Sequence, residues 1–170
     1  MNKFMLAIAL RSAKEWAKSD ISSFSRYFDL SQADRAWLVD AGDNEISSLC
    51  QLPTSVLQVN FNVTKALPAA DCLTSAPSNA ISTISMILTG VADELRANLR
   101  VGMLAWGITD PNKAEWLSQT NVEQRIALAV AGEINFSLRV NSKRLKLDSP
   151  DATTQMANLM KILSGSSKSH

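Results

Sequence analysis

The sequence predicts a mainly α-helical protein of two similar helical units, each ending in a short β-strand, in a pseudo-twofold arrangement. Three observations carry this. Apolar residues recur at three-four spacing along most of the chain, between recognisable caps. Two stretches break that rhythm with period-two alternation, "VLQVNFNV" (56–63) and "EINFSLRV" (133–140). The parts before each stretch come in the same order.

The N-terminal run Phe4, Ile8, Trp16 and Phe24 predicts a helix from about Asn2 to Phe28, interrupted near Ser19-Asp20. Asp20 is suited to cap a second short helix. Ser31 is the expected N-cap of "QADRAWLVDA" and Gly42 its stop. Asp43 starts a further helix that Pro53 ends. Thr64 to Asn79, with Pro68 and Pro77, reads as a connector. One long helix then runs through "AISTISMILTGVADELRANLRVGMLAWG". Its stripe is Ile84, Ile87, Leu88, Val91, Leu95, Leu99, Met103 and Leu104, and Gly90 within it marks close helix packing. Gly107 ends it, and Thr109 or Asp110 caps the next helix, with Pro111 in its first turn. "NVEQRIALAVAG" is one more short helix, stopped by Gly132. "NSKRLKLDS" is a basic loop, and Pro150 precedes a last helix, "DATTQMANLMKIL". The expected divisions are a first unit at 1–66, a connector at 67–79, a second unit at 80–164 and a tail at 165–170.

The repeat is visible part by part. An aromatic-rich turn (Tyr27 to Leu30; Ala105 to Ile108) leads to a hydroxyl cap (Ser31; Thr109). A short helix with a tryptophan-leucine pair follows (Trp37-Leu38; Trp116-Leu117). A second helix brings an inward leucine (Leu49; Leu128). The strand residues Leu57, Val59, Phe61 and Val63 match Ile134, Phe136, Leu138 and Val140. A duplication of this kind makes one chain imitate a homodimer. Strands in such units are expected to pair with each other, since a lone strand leaves backbone groups unpaired.

Composition narrows the function classes. The chain has 170 residues, 46% hydrophobic and 19% charged, enough for a real core. A net charge of +1 argues against strong DNA binding by the chain alone. Cys50 and Cys72 fit a reducing cytoplasm and read as buried apolar residues, although a Cys50–Cys72 disulfide stays open. The one histidine is His170, the last residue, so metal-site and triad chemistry have little material. The apolar run Phe4 to Leu10 is too short to span a bilayer, and "NVT" at Asn62 is a glycosylation signal by spelling only. No phosphate-binding glycine loop is present. The expectation is a cytoplasmic non-enzyme with no cofactor, metal, membrane or small-molecule substrate.

The second unit, from Ile84 through Leu163, resembles FlhD, the D subunit of the flagellar master transcriptional activator. The resemblance lies in "MILTGVADELRANLRVGMLAWGI", "TDPNKAEWLSQTNVEQRIALA", "VAGEINFSLRV" and "TTQMANLMKIL". These follow the family's order: long helix, aliphatic-Gly-Ile turn, two short helices, aromatic strand, C-terminal helix. The first unit fits the same outline from about Phe4 to Val63, with a shorter leading helix. The resemblance implies a subunit of a bacterial transcriptional activator that joins a zinc-containing FlhC-like partner and binds promoter DNA in complex. Related pairs occur on conjugative mobile elements. The family's cross-linking strand cysteine falls on Leu57 and Phe136 here, and the arginine before its Gly-Ile turn falls on Ala105. The alternative is an interaction module, adaptor or anti-activator, without DNA contact.

Candidate DNA contacts follow from charge placement. Lys143, Arg144 and Lys146 lie close behind Arg139, suited to phosphates or to an ordinary solvated loop. Arg35 and Lys113 occupy matching places in the two units and fit twin half-site contacts. Arg96 and Arg100, beside Asp93 and Glu94, read as a salt-bridged surface. Trp37 and Trp116 read as core anchors. Trp16 and Trp106 are candidates for partial exposure, and Trp106 is the best single interface candidate. The last helix, with Met156, Leu159 and Met160, either folds back on the core or docks into a partner.

Overall fold

The structure, a computed structural model, describes residues 3–52, 54–62 and 78–139, together with Ala157 and Met160, both helical. The described chain is mainly helical with one three-stranded sheet.

Helix α1 (Lys3–Ser19) buries Leu6, Ala9, Leu10, Ala13, Trp16 and Ala17 along one face. That spacing is the amphipathic stripe expected of a helix lying on a core. The alanines allow α5 (Ser78–Ala97) to pack closely along α1. The predicted interruption is present. Asp20 leaves helical geometry at φ −148° and its carboxylate accepts from Ser23 N, starting α2 (Ile21–Phe24).

An aromatic cluster follows. Trp16 meets Phe24 edge-on at 5.6 Å, Phe24 stacks on Phe28 at 4.4 Å, and Phe28 lies 5.2 Å from Phe136. It holds β1 (Phe28–Asp29), which the sequence reading does not contain, against the sheet. Helix α3 (Gln32–Asp40) begins at Ser31, whose hydroxyl accepts from Asp34 N. Gly42 is not its stop. With φ −73° it is ordinary backbone and serves as the N-cap of α4 (Asp43–Cys50), while Ala41 closes α3.

The predicted strands pair antiparallel. In β2 (Leu57–Phe61) and β3 (Ile134–Leu138), Leu57 faces Leu138, Val59 faces Phe136 and Phe61 faces Ile134. On the other side of β3 lies β1, parallel, with Phe136 N donating to Tyr27 O at 2.7 Å. The order is β1-β3-β2.

The long second helix is divided. Asn98, at φ −160°, accepts from Val101 N and separates α5 from α6 (Leu99–Trp106). An asparagine side chain offers the backbone this alternative to the helical bond. Ile84, Ile87, Leu88, Val91 and Leu95 of the predicted stripe are buried, but past the break Leu99 and Met103 are half-buried and Leu104 is exposed. Gly90 marks no close contact: a Cβ there would meet nothing within 4 Å. The close approach is at Gly102, where a Cβ would lie 2.9 Å from Leu95 backbone.

Gly107, at φ +65°, ends α6 as expected. Asp110, rather than the hydroxyl of Thr109, caps α7 (Pro111–Gln119), accepting from Asn112 N and Lys113 N. Asn121 and Gln124 form a capping box at α8 (Val122–Ala131), and Gly132 at φ +66° closes it. Helix α1 packs on α3 and α4, and α5 on α7 and α8. No helix among the described residues is long and apolar enough to cross a membrane.

Candidate functional site

The sequence-predicted residues that the structure describes gather mainly around the α6–α7 corner and the adjoining strands. Trp106 forms the last turn of α6 and is 1% exposed, so it is a core residue and not a surface anchor. Its indole N–H is buried without a hydrogen-bond partner, as is that of Trp16, also 1% exposed. The expectation of partial exposure fails for both, because each ring closes the inner end of a helix turn where apolar burial is worth most. Trp37 is buried as expected, and its indole N–H donates to Glu45 at 2.9 Å. Trp116 is half-buried, 6.1 Å from the Phe61 ring.

Lys113 reaches from α7 to β2. Its ammonium donates to Phe61 O at 2.9 Å and stands 5.9 Å from the Phe61 ring centroid. Arg139 leaves the end of β3 and donates to Leu104 O at 3.0 Å and Ala105 O at 3.5 Å. These are carbonyls of the last turn of α6, where a cation is favoured by the helix dipole. Burial pulls the Arg139 guanidinium below its usual pKa. Both cations are thus committed to backbone carbonyls within the chain.

Arg35 stands apart, half-buried on α3, with its guanidinium on Ser25 Oγ at 3.3 Å. It is not the strict counterpart of Lys113. Counted from the N-caps Ser31 and Asp110, Arg35 is the fourth helical residue and Lys113 the third. Ala114, fully buried, holds the place of Arg35. Lys143, Arg144, Lys146, Met156 and Leu159 lie outside the described residues, as does Cys72. Met160 is 41% exposed. Cys50 is a buried free thiol, pushed up to about 11 by burial, with a smaller opposing pull from Arg11.

A cleft of about 120 Å³ lies between β2 and the corner, lined by Val59, Asn60, Phe61, Gly107, Ile108, Thr109, Asp110 and Lys113. Its carboxylate already caps α7 and its ammonium already holds Phe61 O. No group of three metal-binding side chains occurs among the described residues.

Two features escaped sequence reading. Arg96 and Arg125 converge on the C-terminal end of α7. Arg96 donates to Ser118 O at 2.6 Å and Thr120 O at 2.7 Å, and Arg125 to Thr120 O at 2.6 Å. Burial, then the nearby Arg96 charge, lowers the Arg125 pKa, with Asp93 opposing. The Arg96–Asp93 pair at 2.9 Å is the salt-bridged surface expected there. The second feature is the exposed pair Val101 and Leu104 on α6, at 55% and 53%. The missed Asn98 break hid it, because a continuous helix places Leu104 on the core stripe.

Compared with family models, curated proteins and solved structures, the chain matches none of them.

Proposed function

We propose that the chain is a FlhD-like subunit of a bacterial transcriptional activator complex, with two units of one chain standing in for a homodimer. It acts on promoter DNA together with an FlhC-like partner. The observation that carries this reading is the antiparallel pairing of β2 with β3. The sequence repeat matches Leu57, Val59 and Phe61 with Ile134, Phe136 and Leu138. The central pair, Val59 with Phe136, joins two matched residues, and the outer pairs Leu57–Leu138 and Phe61–Ile134 exchange partners. A twofold axis between two matched strands requires them to pair antiparallel, as β2 and β3 do.

Two further parallels support it. Each long helix packs on the short helix pair that follows it, and the long helices pack on each other. Each long helix also sends a cation to the C-cap carbonyl of the next short helix but one: Lys14 to Ala41 O, and Arg96 to Thr120 O. Ala41 and Thr120 hold the same place after the matched tryptophans.

The activity is one of assembly, with no catalytic role, cofactor or small-molecule substrate. A second reading, an interaction module without DNA contact, draws on the commitment of Lys113 and Arg139 to backbone carbonyls. Affinity purification from the native host, with DNA removed by nuclease, tests both. The activator reading expects a cysteine-rich basic protein, and a salt-dependent promoter shift by the two together but not by the chain alone. A complex that shifts no fragment supports the second reading. Recovery of a metabolic enzyme alone sinks the activator reading.

A further inference from the structure

Arg125 is a charge in a place that takes an apolar side chain in the first half of the molecule. Counted from the N-caps Gly42 and Asn121, it is the fourth residue of α8, as Ile46 is of α4. Ile46 is fully buried, and Arg125 is only 4% exposed. An arginine at that depth costs stability unless its donors are met. Here they are met in part. Nη1 donates to Thr120 O at 2.6 Å, but Nε is enclosed without a hydrogen-bond partner. Nη2 has no partner among the described residues either, and it is not enclosed. The buried side chain therefore brings one free donor group to the surface.

A second guanidinium stands beside it. Arg96 Nη2 donates at 2.7 Å to the same Thr120 O, so two cations share one carbonyl oxygen. The partial negative charge at the end of α7 attracts both. The Arg96 charge nevertheless works against that of Arg125, and the carboxylate that opposes it, Asp93, is already 2.9 Å from Arg96 Nη1. In the first half Lys14 alone serves the matching carbonyl, Ala41 O. Capping the helix thus accounts for one cation and leaves the second without a purpose. The Arg96 side chain stays 46% exposed, and its Nη1 and Nη2 each keep a second N–H.

Two neighbouring guanidiniums with unused N–H groups suit an oxyanion, either carboxylate or phosphate. The surroundings decide between them. The same three helices carry Asp93, Glu94, Glu115 and Glu123, each within three residues of Arg96, Ser118 or Arg125. A DNA backbone needs a run of cations and would meet these acids instead. A single carboxylate needs only the two arginines.

We propose that Arg125 Nη2 and Arg96 form a receptor for one carboxylate, carried by an acidic side chain of another protein. That group meets the donors left over and offsets the excess positive charge. The inference rests on the assembly role above for the partner being a protein, and deepens it by naming one anchor and its chemistry. Because Ile46 holds the matched place in the first unit, each chain takes one such group.

The test uses the full chain, ¹⁵N-labelled, with the side-chain Nε–H signals of Arg96 and Arg125 as reporters. The probes are sodium acetate and two blocked pentapeptides, one with a central glutamate and one with a central glutamine, against sodium chloride at the same ionic strength. Acetate and the glutamate peptide are expected to move both signals saturably, and chloride and the glutamine peptide to leave them in place. Arg125→Ile copies the first unit, and should lower affinity at least tenfold, read on the Arg96 signal. Arg96→Gln should lower it at least threefold, read on the Arg125 signal, and decides the matter if Arg125→Ile fails to fold. The proposal is overturned if chloride moves the signals equally, if no shift saturates, or if the folded variants bind as wild type. Binding of acetate without the glutamate peptide also overturns it, because the donors then lie beyond the reach of a side chain. Inorganic phosphate binding tenfold tighter than acetate overturns it in favour of a phosphate contact. Neither partner nor DNA enters this experiment, so the purification and the promoter shift stand or fall separately.

Discussion

Adding the same methyl group to two helices of this protein should change its stability in opposite directions. A Cβ on Gly102 would lie 2.9 Å from three Leu95 atoms, Cα, N and Cδ2. Comfortable contact between such atoms begins at about 3.5 Å. The side-chain carbon can rotate away, but the two backbone atoms belong to α5, so α6 itself must retreat by roughly 0.6 Å to restore that contact. Overpacking of this kind costs about 1–3 kcal/mol. Alanine returns about 0.8–1.0 kcal/mol over glycine inside a helix. Gly102→Ala should therefore destabilise by about 1 kcal/mol, within the range of those two terms. At Gly90 nothing lies within 4 Å, so only the propensity term acts. Gly90→Ala should stabilise by up to about 1 kcal/mol. Both variants share the propensity gain, so the difference between them isolates the α5–α6 contact. Urea unfolding followed by tryptophan fluorescence reads that difference directly. In a thermal melt each kcal/mol moves the midpoint by about 2–4 °C for a domain of this size. Equal stabilisation by both alanines would refute the close approach at Gly102, and with it the rigid seating of α6.

Three further outcomes are expected. Trp106→Ala should cost about 3–5 kcal/mol in unfolding measurements, as for any fully buried large ring; a melting temperature near wild type would return Trp106 to the surface. Lys113→Met should cost about 1 kcal/mol through the lost bond to Phe61 O. Its salt dependence of promoter binding, in complex, should stay as in wild type; a slope lower by about one would make Lys113 a phosphate contact. For Cys50, burial raises the folded thiol from 9.0 to about 11, so its contribution to stability is full below pH 9 and is lost as pH rises through 11. Tyr27, raised mainly by burial with Arg26 opposing, adds a loss of the same sign above pH 10. Cys50→Ala should remove the earlier part of the decline in denaturant midpoints measured from pH 8 to 11, and an unchanged decline would contradict the burial.

The helices were legible because their signals are local. Asp20, Ser31, Asp110 and Gly132 each act within three or four residues of their own position, and periodicity names the face to bury. The two alternating strands were legible for the same reason, and their pairing followed from the need to satisfy backbone groups. Gly42 and Asn98 were misread because one residue type serves two ends. A glycine without positive φ begins a helix as readily as another ends one, and an asparagine caps only when tertiary packing lets α6 turn onto α5. That second error propagated to the surface, since Leu104 belongs to the core on an unbroken helix and to solvent on a broken one. The charged candidates are hard to read in sequence for a different reason. Lys113 and Arg139 meet carbonyls 52 and 35 residues away in sequence, and nothing local distinguishes a cation that caps a distant helix from one that waits for a phosphate.

The two corners show how a single residue type settles local architecture. Matched through Trp37 and Trp116, Tyr27-Phe28-Asp29 corresponds to Trp106-Gly107-Ile108. In the first corner the backbone is extended. Phe28 stacks on Phe24 at 4.4 Å, and Tyr27 O accepts from Phe136 N at 2.7 Å, which makes β1. In the second corner Gly107 turns left-handed at φ +65°, and the N–H groups of Gly107 and Ile108 return to Met103 O. Those donors close the helix and are lost to a strand. The chain still touches the segment leading into β2, with Ser55 N on Ala105 O at 2.7 Å, but among the described residues no strand lies along the outer edge of β2. The cleft beside Val59 and Phe61 occupies that place. Replacing Gly107 by phenylalanine would not restore the pattern of the first corner, because a Cβ there meets Gln58 Cγ at 3.1 Å and any side chain strains at that φ. The difference between the corners lies in where the helix ends. The first short helix stops three residues before its aromatic, Phe24 to Tyr27, whereas α6 runs through Trp106 itself. With Trp106 in its last turn, α6 leaves through the left-handed Gly107, whereas Tyr27 lies beyond α2 and the chain runs straight into β1 at Phe28.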